Sequence, residues 1–368
     1  MHRVYLLGVL ECRKFRKRGT MADKVTIQDI ADELGLSRNT VSKALNGAEG
    51  LAEATRERII NKAMEMGYKQ FIYAQLITQY KDDNQGIIPT LGDKREVAVL
   101  STTYLAAPHF SSLMLDGFQN ELAHMGLTLN THRVTQKNIE SLTLPASLDL
   151  SRVAGIVCIE MFDWRYDEMV CALDVPVLFV DGPARLHGEN LPCDQLYMEN
   201  TTQVMRLVND MLGKGYRRIG FVGNWEHCQS FFERYTAFRT AMALADVHVE
   251  GRFLIRYNTI NEMHQAISGL DELPDLFICA NDFVALDLLM LLHGMGVDVP
   301  RDVMIAGFDD SAESRRSMPK LTTIHIHTQV MAFSAIQLLR TRIKEPSLDF
   351  RQVYTETELI CRASTMRE

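Results

Sequence analysis

No apolar run in the 368 residues approaches the length of a membrane span, which argues against a helical membrane protein. The seven cysteines include no C-x-x-C pair and no metal-ligand spacing, so neither a disulfide framework nor a zinc site is expected, and a reducing cytoplasm is. Nucleophile-elbow, phosphate-loop, zinc-protease and dinucleotide glycine signatures are all missing, and catalysis finds little support. Positive charge is also in short supply. The net charge of −8 excludes a general polycation. Residues 21–80 hold seven basic and eight acidic side chains, net −1, so any nucleic-acid affinity must come from placement, not bulk charge. The first twenty residues carry their positive charges after the short apolar run Val4–Leu10, the wrong order for a secretion signal. They are expected to be a basic disordered arm or a translated upstream stretch.

What is present begins with Val25–Tyr68. Thr26 can cap a first helix with Ile30, Ala31 and Leu34 on one face, and Gly35 supplies the left-handed residue for a turn. Ser37 then caps a second helix whose buried stripe is Val41, Ala44 and Leu45, and Asn46-Gly47 ends it. Arg38, Asn39, Ser42 and Lys43 are left outward. Two short helices around a glycine make a helix-turn-helix, whose second helix can enter the major groove. Arg or Lys can pair there with guanine and Asn with adenine, while Ser37, Thr40 and Asn46 can hold phosphates. The plain alternative is a small helical bundle with a solvated polar face.

Four motifs in this stretch, V-T-I-x-D-I-A, G-x-S-x-x-T-V-S-K-x-L-N, T-R-x-R and the closing G-Y, resemble the headpiece of the lactose-repressor (LacI/GalR) family of bacterial transcription regulators. The resemblance implies that Arg38, Asn39 and Lys43 read base edges, with Ile27 a further groove contact. Ala52 stands where the family usually has a capping Ser before a third helix, so that helix should start less firmly. Past Tyr68 the family's Pro-Asn is replaced by Gln70-Phe71. Ile77 falls on the position that wedges into the minor groove, with Leu76 as the neighbour able to replace it. Residues 81–94 read as a linker.

From Arg95 onward, short β-branched runs alternate with amphipathic helices, the pattern of parallel sheets covered on both faces. Strands are expected at Val97–Ser101, Leu127–Thr131, Val153–Ile159, Val175–Val180, Arg218–Val222, Leu276–Ala280, Val303–Gly307 and Thr322–Ile326. Helices are expected near 110–125, 199–212, 230–244, 282–292 and 328–343, many ending at glycines such as Gly126, Gly213 and Gly294. These are too many units for one sheet. Two doubly wound lobes are expected, with a cleft at the carboxyl ends of their strands.

Arg234, Asn281-Asp282 and Asp309-Asp310 sit just past such strand ends or in a helix-start segment, where caps and turns are the commonest use of these residues. With G-Y-R-R-I-G-F-V-G (215–223) and P-x-L-T-T-I (319–324), they extend the resemblance to about Leu339. It implies that Arg234, Asn281 and Asp309 contact an effector, with Asp181 a fourth contact, while Asp282 caps its helix. An Arg fork with carboxylate and amide acceptors suits adjacent hydroxyls. Phe110, His109 and Trp164 lie on loops where a sugar ring could be met, core packing being the alternative. Ala237 for a common Gly, Ile326-His327 for Gln-Pro and Glu199-Asn200 for Asp-Asn are departures that point to an uncommon ligand. His325 and His327 share a strand face without a Cys or carboxylate nearby, which fits surface residues better than metal ligands.

The expected fold class is therefore α/β: a helix-turn-helix headpiece with hinge (21–79), a linker (80–93), and a two-lobed, doubly wound, periplasmic-binding-protein-like effector and dimerisation domain (94–368). The expected function is a cytoplasmic, homodimeric, ligand-responsive transcription regulator. Its partners would be an inverted-repeat DNA operator and a small sugar-like effector, with no cofactor, metal or membrane. A headpiece fused to a sugar-processing enzyme and a ligand-independent architectural DNA-binding protein remain alternatives.

Overall fold

The computed structural model describes residues 27–45, 51–66, 94–103 and 110–367, and the chain divides into two compact units, Met1–Gln79 and Tyr80–Glu368. In the first, α1 (Ile27–Leu34), α2 (Arg38–Leu45) and α3 (Glu53–Glu65) enclose Ile30, Ala31, Val41, Ala44, Ile59 and Ala63. Burial of each of the larger three, Ile30, Val41 and Ile59, contributes roughly 1.5–3 kcal/mol. Gly35, at φ +65°, turns the chain between α1 and α2. The Ser37 hydroxyl accepts from the Thr40 amide at 3.1 Å, the cap the sequence calls for. Ala52 precedes α3 and offers only its carbonyl, to the amides of Thr55 and Arg56. Thr26, Asn46, the hinge with Leu76 and Ile77, the linker, His109 and the basic extension lie outside the described residues.

The second unit holds two lobes of one design. In the first lobe, six parallel strands run in the order β2 (Thr128–Arg133), β1 (Glu96–Ser101), β3 (Val153–Ile159), β4 (Val177–Val180), β5 (Asp194–Met198), β11 (Gln352–Thr355). In the second, the parallel order is β7 (Leu254–Ile255), β6 (Ile219–Val222), β8 (Leu276–Cys279), β9 (Met304–Ala306). Single bridges, Ala306 to Thr322 and Asp309 to His325, attach β10 (Thr323–Ile326) to that edge, and β12 (Thr357–Ile360) pairs antiparallel with β10. The runs β1, β3, β4, β6 and β8 are buried at every position, as strands covered on both faces must be.

On the first sheet, α4 (Phe110–His124) and α12 (Thr328–Lys344) cover one face, and α6 (Trp164–Cys171) packs Tyr166 and Val170 on the other. On the second, α7 (Thr202–Gly213) and α8 (Gln229–Leu244) cover one face, and α9 (Ile260–Ser268) and α10 (Asp282–Gly294) the other. The chain crosses between lobes three times, after β5, after β10 and between β11 and β12. Glu199 ties two of the crossings: its amide donates to the Thr355 carbonyl at 2.8 Å and its carbonyl accepts from the Thr357 hydroxyl at 2.9 Å.

Several expectations need correction. Four strands, β5, β7, β11 and β12, were not anticipated. Nor were α6, α9, α5 (Gln136–Ser141) and α11 (Ala312–Arg316). The expectation of helices ending at glycines does hold for Gly213 and Gly294, the last residues of α7 and α10, and left-handed glycines follow two residues later, at Gly215 (φ +95°) and Gly296 (φ +76°). His325 does have a carboxylate nearby: its Nδ1 is 3.0 Å from Asp310, which the fold brings in from the end of β9, and His327 has already left the strand for the start of α12.

Candidate functional site

The first candidate surface is the outer face of α2. Arg38, Asn39 and Lys43 are exposed there on the side opposite Val41 and Ala44, so a helical period of 3.6 sorts outward polar residues from core residues. Ser37 and Thr40 share a hydroxyl contact of 2.8 Å at the helix start, leaving both beside the positive end of the helix dipole. Ile27 is half-buried against the headpiece core.

The second candidate is the cleft between the lobes. Both sheets share the strand order 2-1-3-4 over their first four strands, the doubly wound arrangement in which ligands bind outside the carboxyl ends at the point where the order reverses. That point lies between β1 and β3 in the first lobe and between β6 and β8 in the second. At the first, Glu160 (φ +56°) follows β3, and its carboxylate accepts from the Thr103 hydroxyl at 2.6 Å. At the second, Gly223 follows β6 at φ +143°, where a Cβ would stand 2.4 Å from that of Ala280. Only glycine lets the ends of β6 and β8 come so close.

Of the expected site residues, Arg234, Asp309 and Asp181 meet here. Arg234 emerges from the second turn of α8, 2% exposed. Its Nε donates to Asn200 at 2.9 Å and its Nη1 to the Ala280 carbonyl at 2.7 Å, with Asp309 at 3.8 Å. Its guanidinium lies over the Phe308 ring, 3.4 Å from the centroid. Burial lowers its pKa, against the opposing pull of Asp309, Asp181 and Glu233. Asp181, left-handed at φ +62° after β4, accepts from both the amide and the hydroxyl of Ser230 at the start of α8, a direct bond from lobe to lobe. Desolvation raises its pKa in spite of those bonds.

Two assignments change places at the start of α10. Asn281, not Asp282, is the N-cap, its Oδ1 accepting from the Val284 amide at 2.9 Å. Asp282 is fully buried and accepts from the Ser311 amide and the Thr323 hydroxyl, pinning the loop after β9. Trp164 is the first residue of α6 rather than a loop residue, and its Nε1 is engaged by the Ala184 carbonyl at 3.2 Å. Phe110 begins α4, and its side chain lies outside the described residues.

Other cleft residues carried no local signal. Phe162 follows β3 and meets His227 of the other lobe edge-on at 4.7 Å, and His227 contacts Phe231 at 5.7 Å. Desolvation lowers the His227 pKa, against the pull of Asp181 and Glu160. Glu233 accepts from Asn200, Gln229 and Tyr354 at 2.8, 2.9 and 2.8 Å, with Arg185 at 3.6 Å. Tyr354 and Arg185 belong to the first lobe and Glu233 to the second, so this carboxylate clasps the two.

Headpiece and cleft define a class: a helix-turn-helix reader joined to a two-lobed small-molecule binding domain. Residues 26–70 match the model of bacterial regulatory proteins, lacI family, and residues 208–365 that of a periplasmic binding protein-like domain. A transcriptional regulator named GalR from Lacticaseibacillus casei is 28% identical over 93% of this chain and 99% of its own. The transcriptional repressor PurR of Vibrio vulnificus (strain CMCP6) is 26% identical over 92% and 97%. Among solved structures, the lac repressor dimer bound to operator and an anti-inducer superimposes with TM-score 0.63 at 20% identity, over 93% of this chain and 99% of that one. The CelR–cellobiose complex gives 0.63 at 21%, over 92% and 99%. The chain thus carries a lacI-family helix-turn-helix domain followed by a periplasmic binding protein-like domain. Its relatives bear the names of regulators and repressors, not enzymes.

Proposed function

We propose that this regulator is a homodimeric repressor of the cytoplasm, which holds an inverted-repeat operator through two headpieces and is switched by a small sugar-like effector in the cleft. The observation that carries the reading is the meeting of Arg234, from the second turn of α8, with Asp309 from the loop after β9 and the Ala280 carbonyl at the end of β8, while Asp181 reaches over from the other lobe to Ser230. Such a set can satisfy neighbouring hydroxyls, and Phe162, Phe231 and Phe308 supply faces for an apolar ring surface. Two neighbours of the same fold hold sugars, cellobiose in one and D-xylulofuranose in the other. An effector bound between lobes acts on DNA affinity by favouring one lobe arrangement over another.

Pairing of two copies is supported by α10, whose outer face leaves Phe283 and Met290 exposed at 37% and 66%. A second copy seated on this face would bury it. A single headpiece reads too few base pairs, and two-fold pairing doubles the contact. A thermal-shift screen of sugars and nucleosides tests the effector reading. A ligand found there should lose its effect on operator binding in Arg234→Ala and Asp309→Ala while both still bind operator. Unchanged ligand affinity in both variants overturns the reading.

A further inference from the structure

The bonds around Glu233 reach past the lobe boundary to Arg234. One carboxylate oxygen, Oε2, accepts from Asn200 Nδ2 at 2.8 Å, and Oδ1 of the same amide accepts from Arg234 Nε at 2.9 Å. Asn200 is 1% exposed, so bulk water replaces neither bond. Its amide has one workable orientation. Arg234 can only donate and the Glu233 carboxylate can only accept, so turning the amide over would set donor against donor and acceptor against acceptor. The other oxygen, Oε1, accepts from Tyr354 of β11 at 2.8 Å and from Gln229 at 2.9 Å, with Arg185 at 3.6 Å. Asn200 lies on the first crossing between lobes and Tyr354 just ahead of the last, so Tyr354, Glu233 and Asn200 tie both crossings to the guanidinium. Three more bonds join the first turn of α8 to the first lobe. The amide of Gln229 donates to the Gly182 carbonyl at 2.9 Å, that of Ser230 to Asp181 at 3.1 Å, and the amide of Arg185 to Gln229 Oε1 at 2.9 Å. Amides in the first turn of a helix have no partner within it, so the first lobe alone protects those of Gln229 and Ser230.

We propose that Glu233 is a latch and a positioning residue: through Asn200 it orients Arg234 for the effector, and through Tyr354 and Arg185 it makes that orientation conditional on the lobes staying together. The positioning half rests on the assignment of the cleft as the effector site, and the latch does not. With the latch open, Asn200 is free to turn and Arg234 loses the anchor on its Nε. A ligand must then order a long side chain that the latch would have ordered beforehand, and its affinity falls. By linkage, a ligand bound to Arg234 tightens the latch in turn.

Hydrogen–deuterium exchange of the full chain, with no ligand added, tests the latch. Tyr354→Phe deletes one hydroxyl from a side chain that is 43% exposed and keeps a ring to stack on Tyr197. Peptides covering 181–186 and 228–231 are expected to exchange at least about threefold faster than in the parent, and faster still in Glu233→Gln. Peptides of β3 and β8 should keep the parent's rates, a pattern that a general loss of stability would not give. Both changes act on one link, so the double variant should exchange no faster than Glu233→Gln alone. Unchanged exchange in both single variants, or a rise that extends equally to β3 and β8, overturns the latch. For a ligand from the sugar and nucleoside screen that requires Arg234, Glu233→Gln is expected to weaken binding about tenfold, and Tyr354→Phe less. Parent-like affinity in Glu233→Gln overturns the positioning role. A ligand whose affinity survives Arg234→Ala places the effector elsewhere: the cleft assignment falls and the positioning role with it, while the exchange rates still decide the latch.

Discussion

Lys43 and Asp167 show how differently two charged residues can sit in one chain. Lys43 is exposed on the outer face of α2, where its ammonium is available to a guanine edge. Lys43→Ala is expected to cost about 1–3 kcal/mol on the cognate operator and to relax the preference for one base pair, as measured by competition against single-substitution operators. Equal binding to every operator variant by parent and mutant would remove α2 from base reading. Asp167 is the opposite case: fully buried in α6, its two oxygens make no hydrogen bond among the described residues, and burial pushes its pKa up to about 8. Its unfolded value is near 3.9, so the unfolded chain releases this proton first. The stability associated with the protonated form is fully present below about pH 4 and is lost as pH rises towards 8. Asp167→Asn is therefore expected to melt close to the parent near pH 4.5 and increasingly above it up to pH 8, with a constant gap beyond. Calorimetric melting across that range decides it.

At the scale of elements, the edge pair β5 and β11 depends on one buried carboxylate. Asp194 opens β5 and receives Nε of Arg342 from α12 at 3.0 Å and the amide of Arg351, just before β11, at 2.8 Å. Those bonds hold its pKa below the ordinary range although desolvation pulls the other way. Asp194→Asn leaves Arg342 buried without its counter-charge, and should cost about 3–5 kcal/mol in denaturant unfolding. A loss below about 1 kcal/mol would mean that the pair is solvated and not structural. The same strands mark the limit of what the sequence reveals. Val153–Ile159 was legible because a strand buried on both faces is apolar throughout. Asp-Gln-Leu-Tyr-Met and Gln-Val-Tyr-Thr were not, since Asp194, Gln352, Tyr354 and Thr355 find partners at least 121 positions away, beyond the reach of any local pattern. Cleft residues divide likewise. Arg234 and Asp309 were found through a family likeness. Glu233 and His227 gain their meaning only when the opposite lobe supplies Tyr354 and Phe162.

For the whole molecule, the exposed apolar face of α10 makes dimerisation testable without a ligand. Met290→Asp places a charge on a side chain that is already 66% exposed, so the monomer should fold as before. Sedimentation should then show a shift towards monomer, with operator affinity falling as the second headpiece is lost. A variant that sediments as the parent does would put the interface on another surface. The discontinuity of the lobes bears on synthesis. Until residues 328–355 leave the ribosome, the first lobe has β5 as a bare edge and lacks α12, whose Leu339 fills the space beside Gly155, where a Cβ would stand 2.7 Å from Leu339 Cδ1. From the completion of β5 until α12 and β11 emerge, the nascent chain thus presents an open sheet edge and an uncovered apolar face, a state prone to aggregate. A chain broken off after Ile326 would keep every candidate-site residue from Glu160 to Asp309 and is expected to lose its native state, so this fold is one in which the candidate site is encoded early and made stable last.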